Sequence, residues 1–537
     1  MKKMNLALFA SLIAIPALAG CGSNDDPNAI KIACVKLGYG TEWLTALTKR
    51  YTEKTGVTFS IQPMIGQAGN NGLDDELRAL SGSYDLYGLR PNSFYFLLYS
   101  GAVNAKGKRY ETAFEPLDDI YTAEYSGENG NNTMEKKMDE SFKNYANVNG
   151  HYYAVPWANG FVTIMRNLDI WQKLGFSKEE YPRTTDELFE MMDEMNKKIA
   201  SDKTTFSEVA PMIYCETDEY YSTILGSWFA QYEGDEEMQK FYAGRNPDGK
   251  RGPDMFTYEG IAESLKVMKK ILEKDSGGKY VYQNEKSKSL SFTSMQQYFL
   301  FGSAAMCVNG TWLEVENADT RNHEIDSIKI PMVSSIVDKL VGDYNDEELR
   351  EMVSFVDAHY EEGDNEGMPD FSEEEDIETV RESRNTGSVM RTDYDHLFVI
   401  PSWADQEKKP ETKKFLQWMY SDEALQLFYD TMKGHHLPAT PSTGSYNQDN
   451  VELSYFRKNA NKFFAEGNYC RYLVNTVKDK IFSVAGVQSN FSNTIAKKKN
   501  CISWLADGMT VEKVIEENTN ALTSKWQSIL NSIGKED

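Results

Sequence analysis

The strongest constraint on the fold lies between residues 29 and 63, AIKIACVKLGYGTEWLTALTKRYTEKTGVTFSIQP. The apolar run at 30–35 has the length of a buried strand, and a glycine-bearing loop follows it. Trp43, Leu44, Leu47 and Tyr51 then share one helical face, and 57–62 reads as a second strand. Strand, helix, strand in this order is a βαβ opening, so a parallel sheet is expected. LDDELRALSG continues as a short helix and YDLYGL as a third strand. Open sheets of this class hold ligands beyond the carboxyl ends of their strands. The loops KLGYGTEW and RPNSF occupy those places and put forward Tyr39, Glu42, Trp43, Arg90 and Asn92 as candidate binding residues. Trp43 fits the buried face of the helix equally well.

At 537 residues the chain is too long for one ordinary hydrophobic core, and at least two domains are expected. A formal net charge of -25 opposes nucleic acid and anionic membrane surfaces as partners, and leaves a neutral or cationic ligand easier to accommodate. Much of that charge sits in residues 338–382, which hold 18 acidic and 3 basic residues. A solvated excursion is the expectation there. Calcium binding is the sharper alternative, although the D-x-[DN]-x-[DN]-G loop is absent.

The N-terminus reads as a processing signal: Lys2 and Lys3, the apolar run LALFASLIAIPALA, then LAGC ending at Cys21. LAGC resembles the lipobox of bacterial lipoproteins. The resemblance implies a signal peptide at 1–20, a lipidated Cys21 carrying diacylglycerol and an N-acyl chain such as palmitate, and a polar tether over 21–28. The protein is then expected on the outer face of the cytoplasmic membrane of a bacterium, held there by its lipid alone. An ordinary secretory signal is the alternative. Five cysteines remain after processing (Cys34, Cys215, Cys307, Cys470 and Cys501), with no CxxC pair, so neither a disulfide framework nor a zinc site is indicated. His435 and His436 form the one adjacent histidine pair, no metal signature is present, and no cofactor is expected.

Further along, NGHYYAVPWANGFVTIMRN reads as a turn and two strand-like runs, with Pro156 interrupting at what suits a crossing between lobes. A helical pattern opens in YPRTTDELFEMMDEMNKKI with Thr185 as candidate N-cap. Helices also suit YEGIAESLKVMKKILEK, ETKKFLQWMYSDEALQLFYDTM and TVEKVIEENTNALTSKWQSIL. In FGSAAMCVNGTW a small apolar run suits a buried strand, Asn309-Gly310 reads as a turn pair, and Trp312 follows.

Several of these stretches, in order, are similar to blocks of the bacterial extracellular solute-binding proteins of ABC importers, closest to family 1, which includes maltose-binding protein. They are GTEWLTALTKRYTEKTGVTFSI, YDLYGL, NGHYYAVPW, PRTTDELFEMMDEM, FGSAAMCVNGTW, FLQWMYSDEALQLF and DGMTVEKVIEE. The acidic segment has no counterpart in compact members. The resemblance implies an α/β fold of two discontinuous lobes joined by crossing hinge strands, periplasmic-binding-protein-like of type II, with a ligand cleft between them. Lobe 1 would comprise 29–155 plus about 325–422, with the acidic insertion 338–382, and lobe 2 would comprise 156–324 plus about 423–537.

It also implies that Trp312 stacks on ligand. A pyranose presents an apolar face of C–H groups that a rigid indole covers at little entropic cost, so the role is physically apt; core packing is the alternative. Arg90 and Asn92 would hydrogen-bond ligand, Trp157 and Asn159 would sit at the crossing, Trp228 and Tyr232 match a region of aromatics, and Tyr394 and Asp395 would line the hinge side. Phe491 is a weaker candidate. The implied function is capture of a neutral carbohydrate, an oligosaccharide above all, by a monomer that delivers it to ABC permease subunits. Alternatives are a peptide, polyamine or other cation as solute, or a sensor or adhesin role. Enzymatic activity, such as a surface glycosidase, is not expected: no G-x-S-x-G, HExxH or phosphate loop appears.

Overall fold

The computed structural model describes residues 26–533 apart from 91–101, 104–106, 108, 111, 129, 131, 158–159, 216–218, 273–279, 283–288, 318–322, 389–395, 436, 438 and 466–500. β1 (Ile30–Lys36), α1 (Glu42–Thr55), β2 (Phe59–Ile65), α2 (Gly66–Ala79) and β3 (Leu86–Leu89) form the expected opening, with β2 and β3 parallel to β1 on either side. Trp43, Leu44, Leu47 and Tyr51 are all buried. α1 ends at Gly56, whose φ of 76° lets its N–H bond Thr52 O in a left-handed cap. α2 starts at Gly66, ahead of the apolar pattern that begins at Leu73, because its first turns, GQAGNNG, carry no hydrophobic periodicity to read.

Six further strands complete two sheets: β4 (Val155–Trp157), β5 (Val162–Asn167), β6 (Ala210–Ile213), β7 (Ala304–Gly310), β8 (Ile325–Ile328) and β9 (His396–Val399). The first sheet has the order β2-β1-β3-β9-β4 and the second β6-β7-β5-β8. Both are mixed: β9 runs antiparallel to β3 and β4, and β5 antiparallel to β7 and β8. Pro156 lies in β4 at the edge of the first sheet, where a strand tolerates a residue without an N–H. β5 starts five residues after β4 ends, in the other sheet, so the chain crosses between lobes there.

Helices flank both sheets. In lobe 2 they include α3 (Thr185–Ser201), α4 (Glu219–Glu233), α5 (Phe292–Leu300) and α6 (Leu313–Glu316). Thr184, not Thr185, caps α3, with its hydroxyl accepting from Glu187 N at 3.2 Å. Among the described residues no helix is long and apolar enough to cross a membrane.

The lobe boundary differs from expectation. β8 does not return to lobe 1; it is a strand of the second sheet, paired with β5. α7 (Asp346–Ala358) and α8 (Glu374–Gly387), which hold about half of the acidic segment, also belong to lobe 2, where α8 packs on α4. Lobe 1 resumes at β9 and keeps α9 (Asp422–Thr431), packed on α1. Lobe 2 resumes at α10 (Tyr455–Ala465), packed on β8. The boundary was hidden because β8, IDSI, is short and carries Asp326, whose charge is met only in three dimensions by buried Arg166.

The acidic segment is a folded part of lobe 2, not a solvated excursion. Asn345 and Glu348 form a capping box on α7. Asp376 accepts from Val341 N at 2.7 Å, Gly342 N at 3.0 Å and the Tyr344 hydroxyl at 2.8 Å. Asp357 is buried between Lys329 Nζ and Arg384 Nε, each at 2.9 Å, with Arg384 Nη2 at 3.0 Å. Burial alone would raise its pKa, but Arg384 and then Lys329 outweigh burial and hold it well below the usual carboxylate range.

Replacing Asp357 leaves two cations unpaired in the interior, so Asp357→Asn is expected to lower unfolding stability by about 3 kcal/mol or more. Because the folded-state pKa is depressed, this stabilisation is complete above the unfolded value of about 3.9 and is lost as pH falls through the folded one. Thermal melts of both proteins from pH 7 down to pH 3 check this: the gap between them should be widest near neutrality and narrow in acid.

Candidate functional site

A cleft of about 840 Å³ opens between the lobes. Lobe 1 supplies its wall from the β1–α1 loop, including Lys36, Tyr39 and Glu42, and from the segment after α9, including Met432 and His435. Lobe 2 supplies Phe292 and Gln296 of α5, Glu314 and Glu316 of α6, and Glu452 and Ser454 ahead of α10. Tyr39 and Glu42 therefore lie where strand-end reasoning put them. The β1–α1 loop turns through Gly40, at φ 68°, where Gly40 N bonds Leu37 O at 2.8 Å.

Three of the four cleft glutamates already have protein partners. Glu42 pairs with Lys36 at 3.2 Å, Glu316 accepts from Gln296 Nε2 at 2.8 Å, and Glu314 accepts from Ser454 Oγ at 2.5 Å. Burial works against ionisation of Glu42, but backbone N–H groups of Glu42 and Thr41, with Lys36, bring its pKa below the ordinary value. Lys36 offsets the charge of Glu42 and Arg457 that of Glu314, whereas Gln296 is a neutral donor and leaves the charge of Glu316 in place.

Trp312 lies at the border of the lobes, buried to 5% exposure. The Asn309-Gly310 pair is not a turn: Asn309 pairs with Thr163 and Gly310 with Val162, so β7 runs on and the chain turns at Thr311 and Trp312 instead. Trp312 forms the N-cap position of α6, and its Nε1 donates to the Tyr220 hydroxyl at 3.1 Å. The Tyr220 ring lies 5.5 Å from Trp312 and 5.2 Å from Phe292, which carries the aromatic series into the cleft wall. From lobe 1, Tyr39 meets Trp312 edge-on at 6.1 Å, and its hydroxyl shares a hydrogen bond of 3.1 Å with Thr311 Oγ1.

Glycine makes this approach possible. A Cβ on Gly38 would fall 2.7 Å from Trp312 Cδ1, and one on Gly160 would fall 3.0 Å from its Cε3. Lobe 1 and the crossing segment therefore press bare backbone against the indole.

Other sequence candidates are placed elsewhere. Trp43 and Trp157 pack on each other at 5.6 Å in the core of lobe 1, with Phe428 against both. They are fully buried because α1 packs on the face of the first sheet to which Trp157 of β4 points, with Trp43 also against His396 and Phe398 of β9. Trp228 is buried in lobe 2, its Nε1 donating to Pro331 O at 3.1 Å, and Tyr232 is buried under the Lys339 ammonium at 4.3 Å. α4 presents both residues to the insertion side of the lobe, so neither lines the cleft. Arg90 is half-buried at the end of β3, where its N–H donates to Asn70 Oδ1 at 2.7 Å, and it is not part of the cleft wall. Asn92, Asn159, Tyr394, Asp395, Phe491 and the lipidation candidate Cys21 lie outside the described residues.

Sequence reasoning missed Tyr220, Phe292, Glu314, His435 and Arg457. Glu314 stands two residues after Trp312 and could have been found by extending that block. Arg457 carried no signal, since its partners come from segments 22 and 146 residues away. Among the described residues no group of three or more His, Cys, Asp or Glu side chains is placed to hold a metal ion.

Gly38→Ala tests the contact between lobes. Its methyl cannot share space with the indole, so the closed arrangement should lose about 1–3 kcal/mol. Tryptophan emission is expected to shift to the red and the melting midpoint to fall, whereas an unchanged spectrum would refute the contact.

A family model described as bacterial extracellular solute-binding protein matches residues 46–452. The chain is similar in structure to a chitin oligosaccharide binding protein, with 15% identity, a TM-score of 0.58, and coverage of 93% of this chain and 99% of that one. It is similar to a maltose-bound MalE3 of T. maritima, with 14% identity, a TM-score of 0.56, and coverage of 92% and 99%. It is also similar to a family 1 extracellular solute-binding protein from Bifidobacterium longum subsp. infantis, with 15% identity, a TM-score of 0.52, and coverage of 93% and 99%. No curated protein sequence matches significantly.

Proposed function

The chain belongs to the bacterial extracellular solute-binding proteins, and on that premise we propose that it captures a neutral carbohydrate, above all an oligosaccharide, in the cleft between its lobes. It passes this solute to the permease of an ABC importer. The observation that carries the reading is the aromatic series Tyr39, Trp312, Tyr220 and Phe292 beside a cleft of about 840 Å³. That volume lies within the range of about 300–1,000 Å³ usual for small-molecule sites. Flat rings suit the C–H face of a pyranose, and Glu42 and Glu314, offset by Lys36 and Arg457, offer less to a cation. Structural relatives named for chitin oligosaccharide and maltose agree with a sugar ligand.

In this reading Trp312 is the platform, reached when the lobes swing apart and Gly38 leaves the indole. Closure then returns Tyr39 and Glu42 toward the sugar and excludes water. No bond of the solute is broken, so the work is affinity and closure. Cys21 carries the lipid that keeps the receptor beside its permease. Polar atoms of Gln296, Glu316 and Asn317 are near enough to the wall to serve sugar hydroxyls.

A thermal-shift series tests the ligand class, because binding to the native state alone raises the midpoint according to RT ln(1 + [L]/Kd). Mono- and oligosaccharides should raise it with concentration, and the rise should fall by roughly tenfold in apparent affinity or more in Trp312→Ala, given about 1.4 kcal/mol per tenfold. A rise with polyamines or peptides and none with sugars would overturn the ligand class while leaving the family intact. Separately, Cys21→Ser is expected to move the protein from the membrane fraction to the soluble one.

A further inference from the structure

Behind the cleft wall lies a buried cluster centred on Arg457, which does not itself line the cleft. Arg457, 1% exposed, extends from α10 in lobe 2, and its Nη2 lies 3.2 Å from Thr311 O, 3.3 Å from Glu314 Oε2 and 2.5 Å from His435 Nε2. A guanidinium has donors only, so His435 Nε2 must be the acceptor and the imidazole is neutral, with its proton on Nδ1. His435 belongs to lobe 1. The segment that follows it is fastened there by Thr440 N on Lys137 O and by Ser442 N on Asp422 Oδ1, both at 2.8 Å. Its ring meets Tyr39 edge-on at 4.9 Å, and Tyr39 bonds across to Thr311.

We propose that the His435–Arg457 contact is a pH-sensitive latch between the lobes, closed while His435 is neutral and released when His435 gains a proton. The inference rests on the two-lobed fold and not on the identity of the solute. A proton on Nε2 removes the acceptor and sets an imidazolium against a guanidinium in a buried place, where water screens poorly. Glu314 is the carboxylate at hand, and it is already shared by Arg457 and Ser454. Burial lowers the Arg457 pKa below its ordinary value, and Glu314 counters that in part.

The surrounding titratable groups do not relieve the repulsion. Lys433, on the same segment as His435, adds positive charge; Lys36 and Glu42 of the β1–α1 loop satisfy each other; Glu316 of α6 is held by Gln296. Glu452 is exposed at the rim, and the phenols of Tyr39 and Tyr429 are neutral in this range. Ties indifferent to pH also cross here: Asn461 Nδ2 donates to Gly434 O at 3.0 Å, and the Tyr39 hydroxyl and Thr311 Oγ1 share a bond of 3.1 Å. The other described histidines make contacts within a lobe: His151 with Asp118, His323 with Asp169, His359 with Phe355 O and His396 with Val35 O.

Amide hydrogen exchange on the purified full chain at pH 8 and pH 5, without added solute, tests the latch. After correction for intrinsic rates, residues 38–41 and 311–314 should exchange roughly tenfold faster at pH 5, with a larger radius of gyration by X-ray scattering. His435→Gln retains an acceptor near the Nε2 position but cannot titrate, so its exchange in those segments should be the same at both pH values. Equal acceleration in His435→Gln would overturn the proposal. Should that variant fail to fold, the wild-type series still decides: no acceleration, or acceleration spread over both lobes, refutes the latch, and acceleration confined to these segments supports it.

Discussion

The second lobe depends on the ladder that β5 shares with a neighbour on each side. β5 enters directly from the crossing segment, pairs with β7 over five residues and with β8 over four, and so fixes three distant parts of the chain at once. β7 delivers Trp312 to the lobe border, while β8 carries the insertion on one end and receives α10 along its length. Arg166 of β5 and Asp326 of β8 are paired and almost wholly buried, with further carbonyl partners for the guanidinium at Glu180 and Lys178, 2.7 and 2.9 Å away. Two charges removed from water hold only in such a saturated geometry, which makes the pair a demanding specification of register more than a source of stability. A slip of one residue would separate the charges and also turn β8 over.

The same logic explains how a strongly acidic chain stays compact. Carboxylates in and near its interior are given counterparts: Asp357 has Lys329 and Arg384, half-buried Asp422 has Lys137, and Asp376 has two backbone N–H groups and a phenol. Surplus negative charge is left to the surface of the insertion, where solvent and salt screen it. Asp357 ties α7 to both the strand end at Lys329 and to α8, so the insertion is anchored by its charges and not merely by its apolar faces.

Periodicity made the first lobe legible. The run at 30–35 and the face Trp43, Leu44, Leu47 and Tyr51 announce strand and helix because one side of each is continuously apolar. The block ending in Trp312 was legible as a unit, but its inner detail was not: an Asn-Gly pair signals a turn only where no neighbouring strand claims its backbone, and β5 claims both residues. β8 and the insertion escaped for a related reason, since burial of Asp326, Asp357 and Asp376 contradicts composition until their cationic or N–H partners are brought in by the fold. Of the candidate binding residues, Tyr39 and Glu42 could be read from the strand-end rule, which is geometric. Trp43, Trp157 and Trp228 could not be separated from core residues by type alone, because a tryptophan suits a core and a sugar platform for the same apolar reason.

The position of Trp312 has a consequence for how binding can be coupled to shape. A platform wholly within one lobe would gain the same from solute whether the cleft were open or shut, and a ligand with equal affinity for two states shifts neither. Trp312 instead touches Gly38 and Tyr39 across the border, so any group that lies on the indole must also negotiate with lobe 1. On the proposed role of Trp312, the energy of stacking would be conditional on the angle between lobes. Glycine at 38 and 160 is what allows that contact: with no side chain between backbone and ring, the border packs closely against the indole, and even one added methyl would meet it.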